Sequence, residues 1–354
     1  MGGRINSLPT LNFVLMYNLM YVDVSWLLTR NISILTKGLE PEDYDSCLSD
    51  VLRLTIQTLA KMFNENSVLR PDKIIMISDK WEDSLGGYYR TYLLKDCVKY
   101  KGSRLYVTQQ DLEAYEKRDD KSEEQLKKFK HSFYFNKVRS RAKEIMKEEF
   151  PKFGLMYYCK PGYEFDDIAT IASFTRANRT DGKKDIIVTV DTDLGYSLSP
   201  TCDWFQPKVG NRIGRFFTYQ DMVSKMPPGV KNKMTLYQFH SYHDALGFGH
   251  NDMAVCKRSS ITSGYVIGKI LQGDFSDILD MDTFKTQLKT FDLPSFPKYD
   301  EVVNDVKTLF ETQGSYPSLD KFRDFCNTWG VTKISDKYFS DFTQSFDRNL
   351  YDKY

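Results

Sequence analysis

Apolar residues in this chain fall into short continuous runs, separated by longer stretches in which they recur every three or four positions. The runs are "LMYVDV" around Asp23, "KIIMISD" ending at Asp79, "GLMYYC" around Tyr157 and "DIIVTVD" ending at Asp191. A continuous apolar run suits a strand covered by helices on both faces, so these four read as central strands of a parallel sheet. Helical spacing is clearest in "CLSDVLRLTIQTLAKMF", after the first strand, and in "DDIATIASFTRA", before the last. Strand and helix thus alternate along the first part of the chain, which predicts an α/β fold with a mostly parallel central sheet flanked by helices. From about Asn211 the strand pattern gives way to helical ones, "YDEVVNDVKTLFETQ" and "SLDKFRDFCNTW", punctuated by "GSYPS". The expected organisation is an α/β core over residues 1–210 and a mainly helical region over 211–354. Asn12, Asn18 and Asp23 interrupt the apolar run 11–28 and no small-residue cleavage site follows, so it reads as a buried strand and helix start, not a signal or membrane span. Asn6 stands where a myristoylation signal takes Ser or Thr.

Composition changes this picture little. A chain of 354 residues, 41% hydrophobic and 14% aromatic, can bury a substantial core. With 49 basic and 48 acidic residues the net charge is +1, so only local clustering can point to a partner. The six cysteines are dispersed without a CxxC pair, which argues against a zinc knuckle and a dense disulfide framework and favours a reducing cytoplasm. The charge does cluster locally. The segment 111–150 begins acidic, and from Gln125 to Lys143 it holds seven Lys or Arg and no acid, interleaved with Phe129, Phe133, Tyr134 and Phe135. Such a stretch is either a solvated helical insertion with one packed face or a nucleic-acid contact, with cations for phosphates and aromatics for unpaired bases. Residues 211–258 are also locally basic, with seven Lys or Arg against three Asp.

The acids are more informative. Asp23, Asp79, Glu164, Asp166, Asp167, Asp191 and Asp193 fall at predicted strand ends or at the start of the helix beside them. In open α/β sheets that edge is where ligands bind. Each acid alone reads as a cap or turn residue. Gathered together, they repel unless cations hold them, and a hard divalent ion such as Mg²⁺ with oxygen ligands is the natural solution. Two such ions about 4 Å apart suit in-line displacement at a phosphodiester. "HSYHDALGFGH" offers a rival set in His240, His243, Asp244 and His250. With no matching ligands elsewhere, packing or phosphate contact is the expected role of these histidines. No Ser-His-Asp or Cys-His nucleophile motif is present.

The order "YVDVSWLL", "IIMISDK" followed by "YYRTYLLKDCVKYKGSR", "GYEFDDIA" and "VTVDTDLGYSL" resembles the flap endonuclease and 5′-nuclease family, in particular the T-even bacteriophage type of ribonuclease H, over most of residues 15–255. The resemblance implies a PIN-like nuclease core, a helical arch at about 105–150 and a C-terminal helical module that grips duplex DNA. It implies Asp23, Asp79, Glu164, Asp166, Asp167 and Asp191 as direct or water-mediated ligands of a first Mg²⁺, with Asp193 shared with a second ion and Mn²⁺ as an alternative cation. Arg90, Lys101 and Arg104 are the bases it implies at the scissile phosphate. The family's G-D-x-x-D-N loop stands here as "GFGHND", Gly247 to Asp252, in which Phe248 replaces the first Asp and Asn251 with Asp252 inverts the last pair. The second metal site is therefore expected to be depleted, with Asp252 as the acid left to it. The implied activity is hydrolysis of phosphodiesters in branched or 5′-flap DNA and in RNA–DNA hybrids, for primer removal during phage replication in the cytoplasm of an infected bacterium. A single-strand-binding protein or sliding clamp is the implied partner of a monomer with no membrane role. Two other readings stay open: a nuclease-derived protein that binds branched DNA with weak or no cleavage, and a related nuclease acting on RNA.

Overall fold

A computed structural model describes residues 17–65, 71–94, 107–118, 120, 122–208, 214–245, 263–273, 281–312 and 318–331. Its centre is a six-stranded sheet, built of β1 (Tyr17–Asp23), β2 (Pro71–Ile77), β3 (Leu155–Tyr158), β4 (Lys184–Val188), β5 (Cys202–Gln206) and β6 (Arg215–Phe217), in the order β3-β2-β1-β4-β5-β6. Five strands run parallel and β6 closes the edge antiparallel to β5. The four apolar runs are thus β1 to β4. The last two strands lie outside the predicted set: β5 reads "CDWFQ", with polar Asp203 as its second residue, and β6 is only three residues long. Asp203 is tolerated in the interior because Tyr17 donates its hydroxyl to it and Lys184 lies 2.9 Å away.

Alternation within each strand sorts the side chains to two cores. Met20, Val22, Ile74, Met76, Ile186 and Val188 face one side. There α1 (Val24–Leu35), α2 (Leu48–Glu65) and the second half of α5 (Glu123–Glu149) cover them. Leu19, Tyr21, Ile75, Ile77 and Ile187 face the other, under α6 (Phe165–Thr175). Before α5 come α3 (Tyr89–Leu94) and α4 (Gln109–Glu116); after α6 come α7 (Tyr219–Lys225), α8 (Pro228–Lys231), α9 (Leu236–Ala245), α10 (Ser263–Gln272), α11 (Met281–Leu288), α12 (Tyr299–Thr312) and α13 (Leu319–Thr328). The last two complete the cores. Phe310 of α12 packs against Tyr21 and Tyr158, and Phe325 of α13 against Phe150 and Phe153.

Where β1 and β4 pair, the register slips between Tyr17 and Met20. The buried Asp185 carboxylate fills the gap, accepting from the Leu19 N–H at 3.2 Å and the Tyr21 hydroxyl at 2.8 Å. Arg176 and Arg179 each reach it at 2.6 Å, so its charge is paired on the side of the sheet opposite the strand ends discussed next. Among the described residues no helix is long and apolar enough to cross a membrane.

Candidate metal and nucleic-acid site

The carboxyl ends of β1, β2 and β4 and the start of α6 meet in one open pocket of about 1360 Å³. Five of the predicted acids line it: Asp23, Asp79, Glu164, Asp166 and Asp191. Asp23, Asp79 and Asp191 are placed by hydrogen bonds to backbone N–H groups or the Thr189 hydroxyl. Asp23 ends β1 and caps α1, accepting from the Trp26 N–H at 2.9 Å while the Thr189 hydroxyl donates to its other oxygen at 3.0 Å. Asp79, two residues beyond β2, accepts from the Phe165 N–H at 2.8 Å and so ties that strand end to the first turn of α6. Asp191 follows β4 in a turn in which the Thr189 hydroxyl accepts from its N–H at 3.2 Å.

Glu164 is buried beside them, and the turn that delivers it is tightly determined. Gly162 has φ +85°, and a Cβ there would lie 2.5 Å from the Tyr89 ring. Only glycine satisfies both the conformation and the close approach.

The electrostatics of the pocket ask for a cation. Burial, with Asp79 and then Asp191 alongside, pushes the Asp23 carboxyl from 3.8 up to about 7 despite the hydrogen bonds from Trp26 and Thr189. The donors are all carboxylate oxygens, a set that fits a hard divalent ion. The acids line an open wall: among the described residues no three His, Cys, Asp or Glu side chains close into a ligand cage.

Three predicted residues, Asp167, Arg90 and Asp193, lie elsewhere. Asp167, one position past the pocket-lining Asp166, turns inward: it is fully buried, accepts from the Glu164 N–H at 3.0 Å and pairs with Arg90 at 2.6 Å. The Arg90 guanidinium that pairs with it also sits over the Phe291 ring, 5.8 Å from its centroid. This pair therefore anchors α6 to α3, and neither member lines the pocket. Asp193 stands in the turn after β4, where its N–H donates to Asp191 at 3.0 Å, and its side chain is likewise not part of the pocket wall. Lys101, Arg104 and Asp252, with Phe248 and Asn251, lie outside the described residues, as does His250.

The basic segment 125–143 is helical, and much of its chemistry is used inside the protein. A turn of 3₁₀ helix, Pro41–Cys47, runs alongside α5. Lys127 faces Glu40 at 3.7 Å, Lys130 pairs with Glu42 at 2.6 Å and Lys137 with Asp45 at 2.5 Å, while Tyr44 and His131 share a hydrogen bond of 2.7 Å. Phe129 stacks on Tyr115 of α4, and Tyr134 and Phe135 pack onto the core. These aromatics are packing residues. The bases that do meet the acids lie further along the helix. Arg139 lines the pocket, and Lys143 donates to the Ser25 hydroxyl at 3.0 Å within the field of Asp79 and Asp23. In the sequence both stand only as members of the basic stripe 125–143. Their spacing of four residues, next to the apolar Val138, Ala142, Ile145 and Met146, marks the flank of the buried face. His240 also proves to be a packing residue. It stacks on Tyr196 at 4.1 Å and reaches Asp244 at 2.9 Å. Burial pushes the Asp244 carboxyl up, but hydrogen bonds from His240 and His243 outweigh it and hold the group below the usual range.

No protein-family model and no curated protein matches the chain. Solved structures do. A bacteriophage T5 flap endonuclease variant, in a pseudo-enzyme–product complex with DNA and metal ions, aligns with a TM-score of 0.50 at 20% identity over 83% of this chain and 100% of that chain. The T5 5′-exonuclease with bound zinc aligns at 0.43 and 18% identity, over 88% of this chain and 98% of that one. The catalytic core of Rad2 in complex with DNA substrate aligns at 0.43 and 12% identity, over 94% and 93%. At 20% identity the likeness to the T5 flap endonuclease speaks for architecture alone, a mostly parallel sheet between helical layers. The chain therefore has the fold of the structure-specific 5′-nucleases.

Proposed function

We propose that this protein is a divalent-metal-dependent nuclease that hydrolyses phosphodiesters at 5′ flaps and related branched DNA. The observation that carries the reading is the convergence of Asp23, Asp79, Glu164, Asp166 and Asp191 on one pocket that Arg139 also lines. A bound Mg²⁺ or Mn²⁺ would supply Lewis-acid stabilisation of the charge that develops on the phosphate. Asp23, Asp79, Asp166 and Asp191 are the residues proposed to hold it, with Glu164 buried behind them. The starts of α1 and α6 already orient two of these carboxylates, Asp23 and Asp79. Cleavage of RNA–DNA hybrids, primer removal during phage replication and engagement of a single-strand-binding protein or clamp are finer proposals that rest on the sequence resemblance. A binding-only role is the second reading, supported by Phe248 and Asn251 in the loop expected to serve a second ion and by the diversion of Arg90 to Asp167.

The test is a 5′-labelled flap duplex incubated with Mg²⁺, with Mn²⁺ or with chelator, for the wild type and Asp191→Asn. Metal-dependent product from the wild type alone is the expected result. Tight flap binding with no product under any metal favours the binding-only role, and equal product from both proteins removes Asp191 from the proposed site.

A further inference from the structure

Two of the turns that present pocket acids are joined, outside the sheet, by a continuous run of side-chain contacts. Asp191 accepts from the Asp193 N–H at 3.0 Å, and Asp193 opens a 3₁₀ turn, Asp193–Ser197, that carries Tyr196. The Tyr196 ring lies flat on the buried His240 ring, with 4.1 Å between centroids and 6° between planes, and Asp244 holds the imidazole at 2.9 Å. Phe291 meets His240 in a T-shaped contact at 6.2 Å, and the Arg90 guanidinium lies 5.8 Å from the centre of the Phe291 ring. Arg90 pairs with Asp167 at 2.6 Å, and Asp167 accepts from the Glu164 N–H at 3.0 Å, where α6 begins. One end of the run is thus the turn of Asp191, and the other is the turn of Glu164 and Asp166.

Packing alone does not ask for a histidine here. An apolar ring would fill the space beside Tyr196, whereas a buried imidazole and a buried carboxylate cost desolvation and are retained as a pair that fixes the plane of the ring. The far end of the 193–197 turn is held separately, by Thr170 donating to the Ser197 hydroxyl at 2.7 Å, while Asp191 and Asp193 lie at the near end. Carboxylates that repel one another push their turns apart until a cation draws them in. A link that resists this spreading keeps the ligand positions close to their bound arrangement. We infer that His240 is a positioning residue for the cation pocket: stacked on Tyr196 and abutting Phe291, it braces the Asp191 turn against the Glu164 turn and so sets the affinity for the divalent ion. The inference rests on the metal-site part of the nuclease reading and adds to it a brace from the helical region, built of residues outside the pocket wall. It gives a histidine of α9 a task other than ligation.

The experiment uses the full chain without DNA and reads Mn²⁺ affinity by electron paramagnetic resonance, with thermal melts in chelator alongside. The wild type should bind Mn²⁺, and Asp191→Asn should bind it more weakly. Tyr196→Leu keeps apolar bulk but loses the flat stack, and should weaken binding by about tenfold, the lower end of what partners behind metal ligands contribute. His240→Gln keeps a donor for Asp244 but no ring, and should show the same loss. Tyr196→Phe keeps the stack and should bind within about twofold of the wild type. Because the brace acts through the Asp191 turn, Tyr196→Leu should cost less than about threefold in the Asp191→Asn background, whereas a general loss of stability weakens both backgrounds alike. Phe325→Leu, in the opposite core, should lower the melting temperature and leave Mn²⁺ affinity unchanged. Wild-type affinity in Tyr196→Leu or His240→Gln, or a loss as large in the Asp191→Asn background, overturns the inference and leaves the metal site standing. A wild type that binds no Mn²⁺ overturns both. The expected Mn²⁺ pattern in a protein that cleaves no flap with any metal keeps the brace and sinks the nuclease reading instead.

Discussion

Replacing Asp23 by asparagine should stabilise the metal-free protein while disabling it. The Asp23 carboxyl is 8% exposed and is pushed from 3.8 to about 7, first by burial and then by Asp79. The folded state thus holds this proton more tightly than the unfolded chain, and ionising the group costs stability. Below about pH 3.8 both states are protonated and the cost is absent; it grows between about pH 4 and 7 and levels off above, at about 4 kcal/mol. Asparagine removes the charge but keeps an oxygen for the Trp26 N–H, so the cap of α1 survives. At about 2.1 cal/mol/K of unfolding entropy per residue, the gain for a cooperative chain of this size is roughly 6 °C in Tm. The assay is thermal unfolding of wild type and Asp23→Asn in chelator at pH 8 and at pH 4, repeated at pH 8 with saturating Mg²⁺. The advantage should be largest at pH 8 in chelator and shrink to under about 1 kcal/mol at pH 4. Mg²⁺ should close the gap, because only the wild type gains fully from ligand linkage. Equal midpoints in chelator at pH 8, or an advantage that persists undiminished at pH 4, would refute the claim that the pocket acids are held together against their own repulsion.

Removing the acids that face the basic stripe, by Glu40→Gln, Glu42→Gln and Asp45→Asn together, should release Lys127 and Lys137, loosen Lys130, which keeps Glu116 at 3.7 Å, and steepen the salt dependence of single-stranded DNA binding by up to about 2 in the log–log slope. Filter binding across a KCl series measures it, and an unchanged slope means that DNA does not reach this face of α5. Arg90→Met should take the guanidinium away from the buried Asp167 carboxylate and cost about 3–5 kcal/mol in urea unfolding, most of it recovered in the double variant with Asp167→Leu. A stable Arg90→Met that only cleaves slowly would instead return Arg90 to the substrate. Gly162→Ala should destabilise by about 2 kcal/mol or more, from positive φ and the Tyr89 clash, and weaken Mn²⁺ binding measured by electron paramagnetic resonance as the Glu164 turn shifts.

Long-range order was readable in the sequence wherever a single physical pattern dominated. The runs that became β1 to β4 are apolar at nearly every position, because both faces of those strands are buried, and the acids that end them follow from where such runs stop. β5 was hidden because its interior includes Asp203, whose burial depends on Tyr17 and Lys184 far away in the sequence. The neighbours Asp166 and Asp167 are identical in composition and opposite in fate, since one helical step of about 100° turns the first to the pocket and the second to Arg90. No local signal separates them. The basic stripe misled in a similar way. Its charge density suggested solvent or phosphate, whereas the partners Glu40, Glu42 and Asp45 lie some 90 residues earlier and meet it only once α5 has docked. The helical spacing from Arg139 to Lys143 was visible, but which flank of α5 meets the strand ends is a tertiary fact.

The way α12 and α13 finish the two cores has a consequence for how the protein is made. Phe310 and Phe325 seat against residues of β1, β3 and the turn before β3, all synthesised well over a hundred residues earlier. While the ribosome is still translating the middle of the message, both faces of the nascent sheet stay partly bare, with Tyr21, Tyr158 and Phe153 open to water or to a chaperone. Until α12 and α13 have emerged, those rings lack the Phe310 and Phe325 partners that close the two cores. A chain halted before these helices emerge would therefore show apolar rings of both cores to its surroundings, and faster proteolysis of chains truncated before α12 is the signature of that order of assembly.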